Sequence, residues 1–233
     1  MNTNGNIIKK LLIGAGVLAV AGGGYTAVNF AFDETAVKTH TIAEPVRSIV
    51  VKSGSGNVHL VPAGGKVQVR ETQHYVSTKP TLRRDVRNGV LTLDSGCGTH
   101  LLRCYADLRV SVPAGTKVTV EADSGNVDGH GIDVRDMHAN SDSGNVRLEL
   151  IGSQRRAWAH TDSGNVDIVA DALAVDAKTD SGNVTVTVPT GDYAIDTHTD
   201  SGDTKIDGIS RNDHAPKSIQ AKTDSGDVTL GSL

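Results

Sequence analysis

Six places in the chain carry an acid, a hydroxyl, a glycine and then Asn or Asp in one order. They are Asp123-Ser-Gly-Asn-Val, Asp142-Ser-Gly-Asn-Val, Asp162-Ser-Gly-Asn-Val, Asp180-Ser-Gly-Asn-Val, Asp200-Ser-Gly-Asp-Thr and Asp224-Ser-Gly-Asp-Val. A row of aspartates beside glycines invites calcium, because glycine- and aspartate-rich nonapeptide solenoids bind that ion in their turns. Those repeats read GGxGxDx, with the acid after the glycines and two such turns per coil. Here the acid precedes a single glycine, and the opposite turn has no matching acid. Asp123, Asp142, Asp162, Asp180, Asp200 and Asp224 are therefore read as turn formers, whose carboxylates bond nearby backbone N–H groups. Calcium ligation is their alternative use. Gly125, Gly144, Gly164, Gly182, Gly202 and Gly226 are read as structural turn residues that supply positive φ without steric cost.

Other groups with chemical potential do not converge. Ser124 and its repeats have no histidine at a constant offset, so they read as turn serines and not as nucleophiles. The nine histidines are His40, His59, His74, His100, His130, His138, His160, His198 and His214. His138, His160 and His198 fall at similar places before a turn but not in one register, and surface positions are expected for them. No phosphate-cradling glycine loop, zinc motif or dinucleotide fingerprint is present. No catalytic residue, metal ligand or cofactor is assigned, and the chain is not read as an enzyme. Gln154-Arg-Arg156-Ala-Trp158 interrupts the repeat beside the only tryptophan. It reads as a loop covering an edge or as a contact point. Cys97 and Cys104 are the only cysteines. In an exported chain such a pair reads as one disulfide closing a small loop.

The elements that position these residues follow from the spacing. Successive turn aspartates lie 19, 20, 18, 20 and 24 residues apart, and a period near 20 marks a solenoid. Before each turn alternate residues are apolar or small, as in Val118/Val120/Ala122, Ala157/Ala159/Thr161 and Ile219/Ala221/Thr223. Alternation resumes after the turn, as in Val146/Leu148/Leu150 and Val184/Val186/Val188. Period two on both sides gives two strands per repeat, each with one buried face. The strand narrows toward the turn, which accounts for an aromatic content of only 3%. A second turn recurs as Val61-Pro-Ala-Gly64, Val112-Pro-Ala-Gly115 and Val188-Pro-Thr-Gly191. Proline at i+1 with glycine at i+3 fits a type I turn. The expected fold is all-β, a parallel β-solenoid of roughly 20-residue coils over 46–233. Ser53-Gly-Ser-Gly-Asn-Val58 is a degenerate early copy, and Asp94-Ser-Gly-Cys97 is read as a partial one. Residues 46–115 are read as an irregular first coil with a long insertion holding the disulfide loop. Residues 33–45 are read as a polar tether.

The N-terminus sets the compartment. Lys9 and Lys10 precede an uncharged run, Leu11 to Phe32, of 22 residues, long enough to cross a bilayer as a helix. Asp33 and Glu34 follow, so the solenoid is expected outside and the N-terminus in the cytoplasm. A signal peptide is the alternative: Leu11–Leu18 as the apolar part, then Ala19-Val20-Ala21 as a small-x-small site, with secretion after cleavage. Net charge is −4 and no basic patch stands out, so nucleic acid is not an expected partner.

Repeated Asp-Ser-Gly-Asn-Val turns, Val112-Pro-Ala-Gly-Thr before Lys117-Val-Thr-Val, and the N-terminal apolar segment together resemble a bacterial β-strand-repeat family. That family is a domain of unknown function with an adhesin label. Cys104-Tyr-Ala-Asp-Leu-Arg-Val-Ser-Val-Pro-Ala-Gly resembles the entry to the repeats in its actinobacterial members. The resemblance covers residues 46–233 and implies a parallel β-solenoid in the cell envelope with no catalytic residues to carry over. It leads to an expected non-enzymatic, adhesin-like interaction surface. The alternatives are an accessory of an envelope-stress response and a calcium-stabilised scaffold. Expected partners are the membrane, a cell-surface or envelope component, and a second copy meeting the open last coil that ends at Leu233.

Overall fold

A computed structural model describes residues 34–98 and 103–233. The Leu11–Phe32 segment and His100 lie outside the described residues. Every regular element among the described residues is a strand, and the strands form one curled, mostly parallel, solenoid-like sheet. Alternation of apolar and polar residues is realised as inward and outward side chains. Val118, Val120 and Ala122 point in on β8 (Thr116–Ala122), and Val146, Leu148 and Leu150 point in at the start of β11 (Val146–Ser163).

Eight coils stack in register. In spatial order the first is β6 (Val90–Gly96) with β7 (Cys104–Val112), and the second is β2 (Ser48–Ser53) with β3 (Val58–Pro62). The third is β8 with β9 (Val127–Ile132), and the fourth is β10 (Val134–Ser141) with the first half of β11. The second half of β11 with the first half of β12 (Val166–Ser181) makes the fifth, and the rest of β12 with β13 (Val184–Val188) the sixth. β17 (Ser218–Ser225) with β18 (Val228–Ser232) is the seventh, and β14 (Asp192–Ser201) with β15 (Thr204–Ile206) the eighth.

The spatial order departs from the chain order at both ends. The coil of residues 48–62 is inserted between 90–112 and 116–132. The coil of residues 218–232 is inserted between 174–188 and 192–206. The chain reaches this position through residues 207–217, which carry the short β16 (Ser210–Arg211) beside β14. This corrects the expectation that the last coil is the open one. Leu233 is tied into the seventh coil, where its N–H donates to Val188 O at 2.9 Å. The free edge belongs to β14 and β15. There Thr197 and Thr199 stay half-buried, whereas Thr161, Thr179 and Thr223 are buried.

The other end is covered. β4 (Gln68–Tyr75) pairs antiparallel with β7, β1 (Glu34–Thr41) with β4, and β5 (Thr81–Arg87) with β6. Residues 34–41 are therefore a strand, and the reading of 33–45 as a tether is corrected: alternate Thr, Val and His residues suit pairing with β4. The stretch 46–115 holds two coils and the antiparallel strands β4 and β5, not one coil with an insertion. Asp94-Ser-Gly-Cys97 is displaced by two residues from the turn register, since Ser95 aligns with Ser53 and Ser53 with Ala122, the residue before Asp123. In its coil the Cys97–Cys104 disulfide stands where the other coils have the tight turn, as expected from the cysteine pair.

The core is one continuous stack of Val, Ile, Leu, Ala and a single Met, Met137. Tyr75 and Tyr193 are buried only near its two ends, on β4 and β14. The opposite corner turn also differs from its sequence reading. Thr116 N–H donates to Pro113 O, and Gly115 takes φ 71°. Glycine therefore stands at i+2 of a turn that begins at the proline, where positive φ is required.

Candidate functional site

The six repeated turns form one ridge, and their glycines form a column. A Cβ on Gly125 would collide with Gly56 O, on Gly144 with Gly125 O, on Gly164 with Gly144 O, and on Gly182 with Gly164 O. The series continues from Gly226 to Gly182 O and from Gly202 to Gly226 O. Positive φ is found at Gly164, Gly182, Gly202 and Gly226 but not at Gly125 or Gly144. The requirement shared by all six is close approach of one coil to the next.

Two side-chain ladders fasten the ridge. The hydroxyl preceding each turn donates to the glycine carbonyl of the neighbouring coil: Ser141 to Gly125 O, Thr161 to Gly144 O, Thr179 to Gly164 O, Thr223 to Gly182 O and Thr199 to Gly226 O. Ala122 interrupts this row, and Ser53 of the adjacent coil donates to Gly56 O in its place. The residue after each glycine makes the second ladder. The N–H of Asn126 donates to Asn57 Oδ1, that of Asn145 to Asn126 Oδ1, that of Asn165 to Asn145 Oδ1 and that of Asn183 to Asn165 Oδ1. Asp227 then donates to Asn183 Oδ1 and Asp203 to Asp227 Oδ1. At the covered end Asn57 donates to Asp107 Oδ1. Acids thus stand only at the ends of an asparagine row. A carboxylate still accepts the neighbour's backbone N–H, as Asp227 does, but has no side-chain amide to donate.

Asp123, Asp142, Asp162, Asp180, Asp224 and Asp200 are all exposed along this ridge. Asp200 faces His198 at 2.7 Å and Asp162 faces His160 at 3.9 Å. Among the described residues no three His, Cys, Asp or Glu side chains come together as a metal site.

The outer face of the pre-turn strands carries the densest set of recognition groups. Register sets His138, Trp158, Asp176, Gln220 and Asp196 side by side on successive coils. The imidazole of His138 lies flat on the indole of Trp158, with centroids 3.7 Å apart and planes 3° from parallel. His160 meets the indole edge-on. Burial here holds the His138 pKa below the ordinary histidine value. Lys222 and Gln220 both bond Asp196, at 2.6 and 2.9 Å, and hold its carboxyl below the usual range. Beyond Trp158 the row shortens to Asp and Gln, and the neighbouring row to Ala174, Ser218 and Ala194. A groove of about 660 Å³ opens there, with Asp213 of the 207–217 segment on its rim and Arg156 beside the indole. The Gln154–Trp158 cluster is therefore part of β11 and not a loop. Gln154 turns inward and donates to Ile151 O and Gly152 O. The sequence singled out Trp158, but Asp176, Gln220 and Asp196 carry no local signal and are assembled only by the register of distant coils.

The face of the post-turn strands is a row of alternating charge. His59 lies 3.7 Å from Asp128 and Arg147 lies 3.3 Å from Asp167. Such exposed pairs match register and contribute little each. Together the two faces offer a π surface, carboxylates, amides and cations fixed on strands.

A family model described as Toastrack DUF4097 matches residues 21–232. No curated protein matches the chain. Solved structures similar in fold include a candidate cell adhesion protein from Clostridium sporogenes, at 12% identity and TM-score 0.51, covering 85% of this chain and 100% of that one. A candidate adhesin from Bacteroides fragilis matches at 16% identity and TM-score 0.48, covering 85% of this chain and 97% of that one.

Proposed function

We propose, on the premise that this chain belongs to the Toastrack DUF4097 family, that it is a non-enzymatic envelope protein whose rigid solenoid presents an adhesin-like interaction surface. The observation that carries this reading is the Trp158 face. An aromatic ring and hydrogen-bonding groups from four coils share one outward row, and the coils are locked together by the turn ladders. Recognition groups held on strands need no ordering on binding, which lowers the entropic cost of association. The apolar run Leu11–Phe32 behind Lys9 and Lys10 supports display outside the membrane, by anchoring or after cleavage. The adhesion name of the similar Clostridium sporogenes protein agrees with this reading.

The test is a deletion strain scored for two properties together, attachment to surfaces and response to envelope stress. Reduced attachment, restored by the intact gene, is the expected result. Unchanged attachment with an altered stress response would replace this reading with that of a stress-response accessory.

A further inference from the structure

Within that interaction surface, we infer that the groove beside Trp158 is a binding site for a neutral sugar ring. One face of the indole is covered by His138 and its edge is met by His160. The opposite face carries no ring contact among the described residues and fronts the groove over Asp176. The electron-rich π face of tryptophan attracts the weakly positive C–H groups that line one side of a pyranose. Ala174, Ser218 and Ala194 leave depth beside it, so a ring placed against the indole takes up the position that a large side chain would fill on the next coil.

The polar lining selects the ligand's charge. Acceptors come from Asp176, Asp196 and Asp213, and donors from Arg156 and Gln220. Asp196 already holds Lys222 and Gln220, and Lys178 stands 3.4 Å from Asp176 Oδ1. Among the described residues that oxygen is covered yet makes no hydrogen bond, and the lysine approaches it without hydrogen-bond geometry. An anion would meet three carboxylates; a cation would meet Arg156 and would have to compete with Lys178 and Lys222, which already hold Asp176 and Asp196. Hydroxyl groups both donate and accept, so a neutral polyol satisfies the two kinds of lining at once.

Trp158 is the only tryptophan in the chain, so its emission reports the site without labelling. The purified full-length chain, in a detergent without a sugar headgroup, is titrated with short oligosaccharides of glucose, mannose, galactose and N-acetylglucosamine. At least one is expected to give a saturable change in emission, with a midpoint of about 1 mM or tighter. Ala174→Leu, which fills the groove and leaves the indole in place, is expected to weaken that response about tenfold or more. Gln220→Ala is expected to weaken it as well. No response to any of the four, or a response that Ala174→Leu leaves unchanged, overturns the inference. So does a saturable response to tetramethylammonium in place of the sugars. Attachment of cells that persists in the Ala174→Leu strain would leave the interaction reading standing and remove only the sugar.

Discussion

The backbone N–H of Asp203 donates to Oδ1 of Asp227 at 2.9 Å, although Asp227 lies 24 residues later in the chain. Asp227 in turn donates to Asn183, 44 residues earlier. These two bonds place the last coil of the chain inside the stack and leave the preceding coil at its open end.

Truncation after Ile206 tests that order. In a stack that follows chain order, removing the last coil exposes its neighbour and leaves the rest intact. Here residues 192–206 lose β17 and β18, which pair with them along nearly their whole length. Amide exchange across 192–206 is expected to rise to unfolded rates. Retained protection there would contradict the inserted coil.

The glycine column makes a steric prediction. A methyl group on Gly144 or Gly182 meets the carbonyl of the adjacent turn, whereas one on Gly64 meets nothing within 4 Å. Gly144→Ala and Gly182→Ala are each expected to cost on the order of 1–3 kcal/mol in urea denaturation, the usual range for overpacking. Gly64→Ala should stay within about 0.5 kcal/mol of the parent, as surface changes do.

The asparagine row predicts a split between two substitutions. Asn145→Ala leaves the N–H of Asn165 without its acceptor and should cost about 1 kcal/mol. Asn145→Asp keeps that acceptor and loses only the longer amide bond to Asn126, at 3.3 Å. The aspartate variant should therefore be the more stable of the two in thermal melts, with a midpoint between alanine and parent.

Much of this was legible in the sequence. Period-two alternation gave the inward residues, the spacing of the turns gave the coils, and the scarcity of aromatics foretold a narrow core. What was not legible depends on which coil lies beside which. Nothing local distinguishes Asp224-Ser-Gly-Asp from Asp200-Ser-Gly-Asp, so their exchange in space has no sequence signal beyond the longer spacing between them, which the 207–217 crossing consumes. The glycines were assigned to positive φ, and their shared constraint proved to be a neighbour's carbonyl. Trp158 was visible as an oddity, but its partners come from residues 138, 176, 196 and 220, and only register unites them.

His138 gives the chain a pH dependence. Burial against the Trp158 row lowers its pKa, Lys117 and Arg156 add to the lowering, and Glu121 and Asp176 oppose it. A depressed value in the folded state means that the unfolded chain takes up the proton first as pH falls. Above about pH 6.5 both states are neutral at this site and it contributes nothing; below that value stability is lost until the folded value is passed. His138→Phe should therefore lose less stability than the parent between about pH 7.5 and pH 5.5, read from urea midpoints. An equal loss in both would contradict the assignment.

The most direct test of the account is display at the cell surface. A tag on the C-terminus is followed in cells and medium while intact cells are treated with protease. The account predicts that the tag is accessible, either as a cell-bound form of full-length mass that shaving removes or as a shorter form released to the medium. A tag that remains cell-bound and protected from protease in intact cells would contradict an outward-facing interaction surface.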